Sequence, residues 1–378
     1  MVTTVIMESV MRTGFFTMPS HPPERDLREG YEFDLQNIRW ADELGFEEGW
    51  IGEHHTAPWE PHGAPDFMVV EGFRQTKNIR LGPGGFLLPY HNPAELANRL
   101  AQMDHLGQGR LNFGVAASGL PSDWAMFNVD GMSGENREMT RESLEIILRL
   151  WGDEEEFDHQ GKYWHISKPA EMFGFLKPHL YPLQKPHPPI GVAGLSKGSD
   201  TLKLAGEKGY IPMSLNLNPA YVGSHWEAVE EGARRGGRVA NRADWRMVRE
   251  VFVAETDAEA WKLAVDGPMG RMMNEYFLPL LANFGFLEFL KHDQTVTDSD
   301  VTAEYCAKHN WLVGSPATVA EKIEAVYEDV GGFGSLLVFC FDYADKAEAW
   351  HSSLGMLANE VMPKVQHLKP PPGVSSAE

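Results

Sequence analysis

Short apolar runs alternate with amphipathic stretches along almost the whole chain, and nothing else in the sequence restricts the fold as strongly. Residues 11–18 read as a strand and 34–44 as a helix with Leu35, Ile38 and Leu44 on one side. A strand at 48–54 and a helix at 66–76 follow, with Asp66 placed to cap the helix. A third strand covers 79–88 and a third helix 93–106, with Pro93 in the first turn and Gly107 past the end. A fourth strand at 110–118 and a fourth helix at 140–151 complete the first group. Residues 153–185 interrupt the rhythm with a hairpin pattern at 157–164 and a proline-rich stretch. It resumes with strands at 190–195, 210–217 and 246–254 and helices at 201–208, 221–235 and 258–265. A second interruption, 267–311, precedes a helix at 315–330, a last strand at 336–341 and a last helix at 345–361.

Alternation of this kind builds parallel sheets, and eight strands predict a (β/α)₈ TIM barrel with insertions after the fourth and seventh units. The reading is a single domain over 1–368, with insertions at about 152–188 and 267–311 and a disordered tail at 369–378 that opens near three prolines. In such barrels the active site lies at the C-terminal ends of the strands. Polar residues there are therefore candidates, and those on outer helix faces are not.

With 33 Lys and Arg against 54 Asp and Glu, the formal charge of −21 argues against nucleic acid or an anionic membrane as partner, since both need a basic footprint. Cys306 and Cys340 alone cannot make a disulfide framework or a closed cysteine metal site, which fits a reducing cytoplasm. No apolar run approaches the roughly 20 residues of a membrane span. The first ten residues lack the basic-then-apolar order of a signal peptide, so a soluble cytoplasmic protein is expected.

The second strand ends Gly52-Glu53-His54-His55. Alternation puts Trp50, Gly52 and His54 on one face and Ile51, Glu53 and His55 on the other, so the adjacent histidines diverge and no metal site is expected. His54 is the candidate for proton transfer or anion stabilisation, set against a purely structural histidine. Gly84-Gly85 inside the third strand signals a kink, the close approach of a flat ligand, or tight interior packing. The fourth strand ends in small residues, Ala116-Ala117-Ser118. After the fifth, Gly194-Leu195-Ser196-Lys197-Gly198-Ser199 leads into a helix, offering amide N–H groups, two hydroxyls and a lysine to an anion. This segment matches neither the Walker nor the dinucleotide fingerprint. Phe15, Trp59, Phe86, Trp124, Met272 and Tyr276 are candidates for an apolar substrate pocket.

Taken in order and spacing, several stretches resemble the bacterial luciferase-like monooxygenases, in the branch of limonene and diketocamphane monooxygenases. They are Gly52-Glu53-His54-His55, the run from Leu81 through Gly84-Gly85 to Pro93, Asp104-His105-Leu106-Gly107-Gln108-Gly109-Arg110, Ala193-Gly194-Leu195-Ser196, Leu204 to Gly209, and Leu312-Val313-Gly314-Ser315-Pro316. The resemblance implies a barrel that takes reduced FMN (FMNH₂) from a separate NAD(P)H:FMN reductase and reacts it with O₂ to a C4a-(hydro)peroxyflavin. That species would oxygenate a small apolar compound, a terpenoid or cyclic ketone, by epoxidation, hydroxylation or Baeyer–Villiger insertion. It further implies His54 as the active-site histidine, Gly84-Gly85 as a non-proline cis peptide under the flavin, and Ser196, Lys197, Gly198 and Ser199 as the phosphate loop. The same likeness makes 267–311 a mobile substrate lid and the protein a homodimer. Relatives with an arginine after strand four use it on the phosphate; this chain has Ala116-Ala117-Ser118 instead. Two other readings are a deazaflavin-dependent dehydrogenase, disfavoured by the chain's acidity, and a non-catalytic flavin-binding relative, disfavoured by His54.

Overall fold

The structure, a computed structural model, describes residues 10–371. From residue 372 onward the tail read as disordered lies outside the described residues. Eight parallel strands form the barrel: β1 (Arg12–Ser20), β2 (Glu48–Ile51), β3 (Arg80–Pro83, continued by Phe86–Leu87), β4 (Phe113–Ala116), β5 (Ile190–Gly194), β6 (Ile211–Ser214), β7 (Arg246–Val253) and β8 (Ser335–Phe341). Strand β8 pairs with both β7 and β1, and the first half of β3 pairs with β2 while its second half pairs with β4. The ring therefore closes across the Gly84–Gly85 break. Strands covered on both sides can be apolar throughout, as the fully buried Ser-Leu-Leu-Val-Phe-Cys-Phe run of β8 is.

Around the strands stand α1 (Leu27–Glu43), α2 (Pro65–Gln75), α3 (Pro93–Leu106), α4 (Pro121–Phe127), α5 (Glu135–Trp151), α6 (Asp200–Lys208), α7 (Pro219–Arg235) and α8 (Asp257–Ala264). Helix α1 begins earlier than its apolar periodicity suggested, because the Asp26 carboxylate accepts from the N–H groups of Arg28 and Glu29. Gly30 is tolerated inside it because a Cβ there would stand 3.1 Å from the ring of His21. Asp66 does not cap α2: Ala64 is the N-cap residue, Pro65 opens the helix, and the Asp66 carboxylate turns to Arg99 at 3.3 Å. Helix α3 starts as expected, with the Asn92 side chain accepting from Ala94 and Glu95.

The first insertion contains the hairpin Phe157–Gln160 and His165–Lys168. The second builds α9 (Pro268–Met272), a π-helical turn Met273–Phe277, α10 (Leu278–Phe284) and α11 (Ala303–His309). Pro279 has no N–H to give to the preceding turn, which fits a wider turn just before it. The chain then returns through a short strand, Leu312–Gly314, beside β7, into α12 (Pro316–Val330) and, after β8, α13 (Ala347–Met356). No helix among the described residues is long and apolar enough to cross a membrane.

Side-chain alternation decides what faces the barrel interior. A Cβ on Gly191 would meet the Trp50 ring at 2.7 Å and the Met213 methyl at 3.1 Å, so Trp50 fills the interior and its neighbours Ile51 and Glu53 point the other way.

Candidate active site

Beyond Ile51 the chain leaves β2 and folds into a tight loop, closed by His54 N–H on His62 O and Glu60 N–H on Ala57 O, both 2.9 Å. This loop returns Glu60 to His54. Glu60 Oε2 stands 3.5 Å from His54 Nε2, and Asp123 Oδ2, from α4, stands 3.8 Å from His54 Nδ1. Nδ1 and Asp123 Oδ2 are sealed from solvent without a hydrogen-bond partner, so Nε2 is the nitrogen left to the barrel mouth. Burial by itself would pull the imidazole pKa down. The charges of Glu60, Asp123 and Glu53 outweigh it, and His54 is protonated to a higher pH than a free histidine. Thr56 Oγ1 donates to Asp123 Oδ1 and holds that carboxylate in place.

The loop rests on a second charged cluster. His21 donates from both ring nitrogens, to Asp342 at 2.8 Å and Asp34 at 2.9 Å, and its backbone N–H holds Trp59 O at 2.9 Å. Asp34 also meets His62 at 3.0 Å, and Arg25 closes on Asp342 at 2.9 Å.

Glu53, on the opposite face, ties the strand ends together. Its buried carboxylate accepts from His55 Nε2 (2.9 Å), His91 Nε2 (2.9 Å) and the Leu87 amide (2.9 Å). Arg99 can only donate, so its 3.0 Å bond to His91 Nδ1 makes that nitrogen the acceptor and leaves Nε2–H to Glu53. Burial pushes the Glu53 pKa up, but these donors more than reverse it and keep the group ionised.

The Gly84–Gly85 link is trans, contrary to the expectation of a cis peptide; among the described residues the cis bond is Lys185–Pro186. In this form the Gly84 N–H reaches Ile51 O, so the glycines keep the ladder to β2 before the strand crosses to β4. What excludes side chains is backbone. A Cβ on Gly85 would lie 2.6 Å from Gly114 C and Val115 N, and one on Gly114 would lie 2.0 Å from Pro83 O. After β4, Ala116 and Ala117 lead to Ser118, whose φ is 68°, and Asn136 fixes the loop by donating to Ala117 O at 3.0 Å and Ser118 O at 3.1 Å. Ser118 Oγ, Tyr90 Oη and Thr17 Oγ1 are buried on the strand-end loops and strands without a partner.

After β5, Ser196, Lys197 and Gly198 are exposed, with Gly198 at φ 66° and the Lys197 amide held by Tyr221 Oη at 2.9 Å. Ser199 is different: its hydroxyl caps α6 through the Leu202 amide and meets Thr201 Oγ1 at 2.8 Å. Gly194 is glycine because Leu202 and Ser199 close over it, a Cβ being 2.4 Å from Leu202 Cγ.

Of the apolar candidates, Phe15 and Phe86 belong to the core outside the barrel. The Phe15 ring lies on Gly49 beside Leu81, whose other side faces Gly72 of α2 and Ile38 of α1. Phe86 lies under Arg99 of α3, 5.3 Å from its guanidinium. Period two places Phe16, not Phe15, in the interior, where its ring lies 3.1 Å from the Cβ position of Gly84. Trp124 lies against Gly131, and Met272 is fully buried. Trp59 and Tyr276 stack at 6.1 Å next to His54, and Tyr276 Oη donates to Glu60 Oε2 at 2.8 Å. Phe16 was among the aromatic residues that the sequence placed at the mouth, whereas Glu60, Asp123 and Tyr90 carried no local signal that marks them as site residues.

A model of the luciferase-like monooxygenases matches residues 11–332. The 3,6-diketocamphane 1,6-monooxygenase of Pseudomonas putida is 32% identical over 372 residues, covering 94% of this chain and 98% of that one. Limonene 1,2-monooxygenase of Rhodococcus erythropolis is 30% identical over 360 residues, covering 93% and 85%. The solved oxygenating constituent of the P. putida 3,6-diketocamphane monooxygenase, a type II Baeyer–Villiger enzyme in complex with FMN, aligns with a TM-score of 0.89 at 33% identity. That alignment covers 96% of this chain and 100% of that one.

Proposed function

The chain belongs to the luciferase-like monooxygenase family, and from that premise we propose that it is the oxygenase of a two-component system, taking reduced FMN from a separate NAD(P)H:FMN reductase and oxygenating a small apolar terpenoid or cyclic ketone. The residues present fit the cofactor. A flat ring with a polar edge needs buried donors and acceptors at the barrel mouth, and Ser118 Oγ and Tyr90 Oη are such groups. A phosphate needs amide donors and a cation, and the exposed Ser196-Lys197-Gly198 loop before α6 offers backbone amides and the Lys197 ammonium, the Lys197 amide itself being engaged with Tyr221 Oη. Ser199, engaged as a cap, contributes to that loop's shape.

Bound reduced FMN supplies the electrons with which O₂ is split between product and water. The chain's own contribution is proton control and exclusion of water. His54, kept protonated by Glu60 and Asp123, offers an N–H at Nε2 to an oxygen that gains negative charge, such as a ketone carbonyl under attack. Trp59, stacked on Tyr276 of the second insertion, roofs the same corner and keeps water from it.

The observation that carries this reading is a single histidine at the barrel mouth, held between two carboxylates, beside unsatisfied buried polar atoms. The test is turnover of cyclic ketones and terpenes with a reductase, NAD(P)H and FMN, with product measured by gas chromatography. His54→Gln is expected to lower kcat by about 10²–10⁴-fold. Undiminished turnover in that variant removes His54 from the mechanism, and no oxygenated product from any substrate of this class overturns the reading.

A further inference from the structure

Two donors converge on one oxygen of Glu60. Tyr276 Oη lies 2.8 Å from Oε2, a full hydrogen bond, while His54 Nε2 lies 3.5 Å from the same atom, just outside one. A carboxylate that faces an imidazolium with no competitor closes to about 2.7–2.9 Å. Here Tyr276 holds the hydrogen-bonding distance and the imidazole stands outside it.

The seat of Tyr276 is fixed independently of His54. It belongs to the π-helical turn of the second insertion, and such turns occur often at functional sites. Its ring stacks on Trp59 with an interplanar angle of 15°. Arg271, in the adjoining α9, lies over Trp59 at 5.6 Å and pairs with Glu24 at 2.7 Å and Glu275 at 3.0 Å. Burial, reinforced by the charge of Glu60, keeps the phenol protonated, so it can only donate to that carboxylate.

We propose that Tyr276 is a positioning residue for His54: its hydroxyl holds Glu60 off the imidazole, leaves Nε2–H free for the barrel mouth, and so makes the seating of segment 267–311 set the direction of the His54 proton. This rests on the reading of His54 as the proton-controlling group. The groups facing His54 are Glu60 from the loop after β2 and Asp123 from α4; Glu53 adds its charge from the opposite face of the strand end, and Tyr276 acts on His54 through Glu60. Without the phenol, Glu60 gains His54 as its partner. The pair then holds the proton more tightly and withdraws it from the cavity.

The test is an NMR titration of the His54 ring in the flavin-free protein, in wild type, Tyr276→Phe and Glu60→Gln. Tyr276→Phe is expected to raise the proton affinity of His54 by about threefold to tenfold. Glu60→Gln should lower it, and adding Tyr276→Phe to Glu60→Gln should change nothing further. In turnover, Tyr276→Phe should lower kcat by about tenfold with KM within about twofold, and shift the alkaline limb of the kcat profile upward. Identical His54 titrations in wild type and Tyr276→Phe overturn the proposal, as does a change confined to KM, which would mark a residue that only lines the substrate space. Should Tyr276→Phe fail to fold, a Glu60→Gln titration identical to wild type overturns it equally. A shifted titration in a protein that oxygenates nothing supports the Tyr276–Glu60–His54 relation while the assigned reaction falls by itself.

Discussion

Replacing His21 with Gln removes the imidazolium that bridges Asp34 and Asp342, and the consequence can be worked from the geometry. Its ring is buried, with bonds of 2.9 and 2.8 Å to the two carboxylates. Burial lowers the imidazole pKa, but the two carboxylates more than reverse this and raise it to about 9 from 6.5. At 1.36 kcal/mol per pH unit, the difference corresponds to about 3 kcal/mol of folding stability. Because the folded-state value is the higher one, this contribution is complete below about pH 6.5 and is lost as pH rises through about 9. The depression of Asp34 to about 2 reflects the His21 contacts from the other side, together with the bond and charge of His62, and is not added. Urea denaturation, which leaves ionic strength unchanged, should show wild type losing about 3 kcal/mol between pH 6 and pH 9.5 through this group. His21→Gln should be less stable by about 3–5 kcal/mol at pH 6, with that part of the slope gone. Equal pH slopes in the two proteins would refute the assignment of a buried imidazolium. The bond to Trp59 is made by the backbone N–H of residue 21, which glutamine keeps, so that anchor of the loop presenting Glu60 should persist in the variant.

The remaining expectations concern neighbouring groups. Phe15→Ala should cost about 3–5 kcal/mol of stability and leave KM for the substrate unchanged, whereas Phe16→Ala should change KM; the reverse pattern would restore Phe15 to the pocket. Glu53→Gln leaves His55, His91 and the Leu87 amide competing for one remaining acceptor oxygen and should lower stability by about 2–3 kcal/mol in urea titrations. Lys197→Ala should weaken FMN about tenfold and riboflavin hardly at all in fluorescence titrations, while Ser199→Ala should cost about 1 kcal/mol of stability through its lost cap and spare FMN affinity.

The barrel was legible because its information is local. Period two and period 3.6 repeat within a dozen residues, and helix punctuation such as Pro93 at the start of α3 and Gly107 at its end acts on its own turn. His54 was legible for the same reason: a strand end is a sequence position, and in a barrel it is also a place. Where local rules compete, tertiary contacts decide. Asp66 had the chemistry of a cap but found Arg99, and Phe86 had the position of a pocket residue but faced α3. Gly84–Gly85 announced a close approach, and only the fold showed that the approaching group is the backbone of Gly114 and Val115, across a trans link.

By itself the chain determined its architecture, its acidic character, the strand-end histidine and the glycine-bearing strand, since each follows from patterns within a few residues. What tertiary structure alone decided is the charge around that histidine. Glu60 arrives by a loop that folds back, Asp123 from a helix 69 positions on, and Tyr276 from an insertion more than 200 residues away. Electrostatic interactions act through distance in space, and no sequence pattern encodes which of 54 carboxylates will stand within 4 Å of one imidazole.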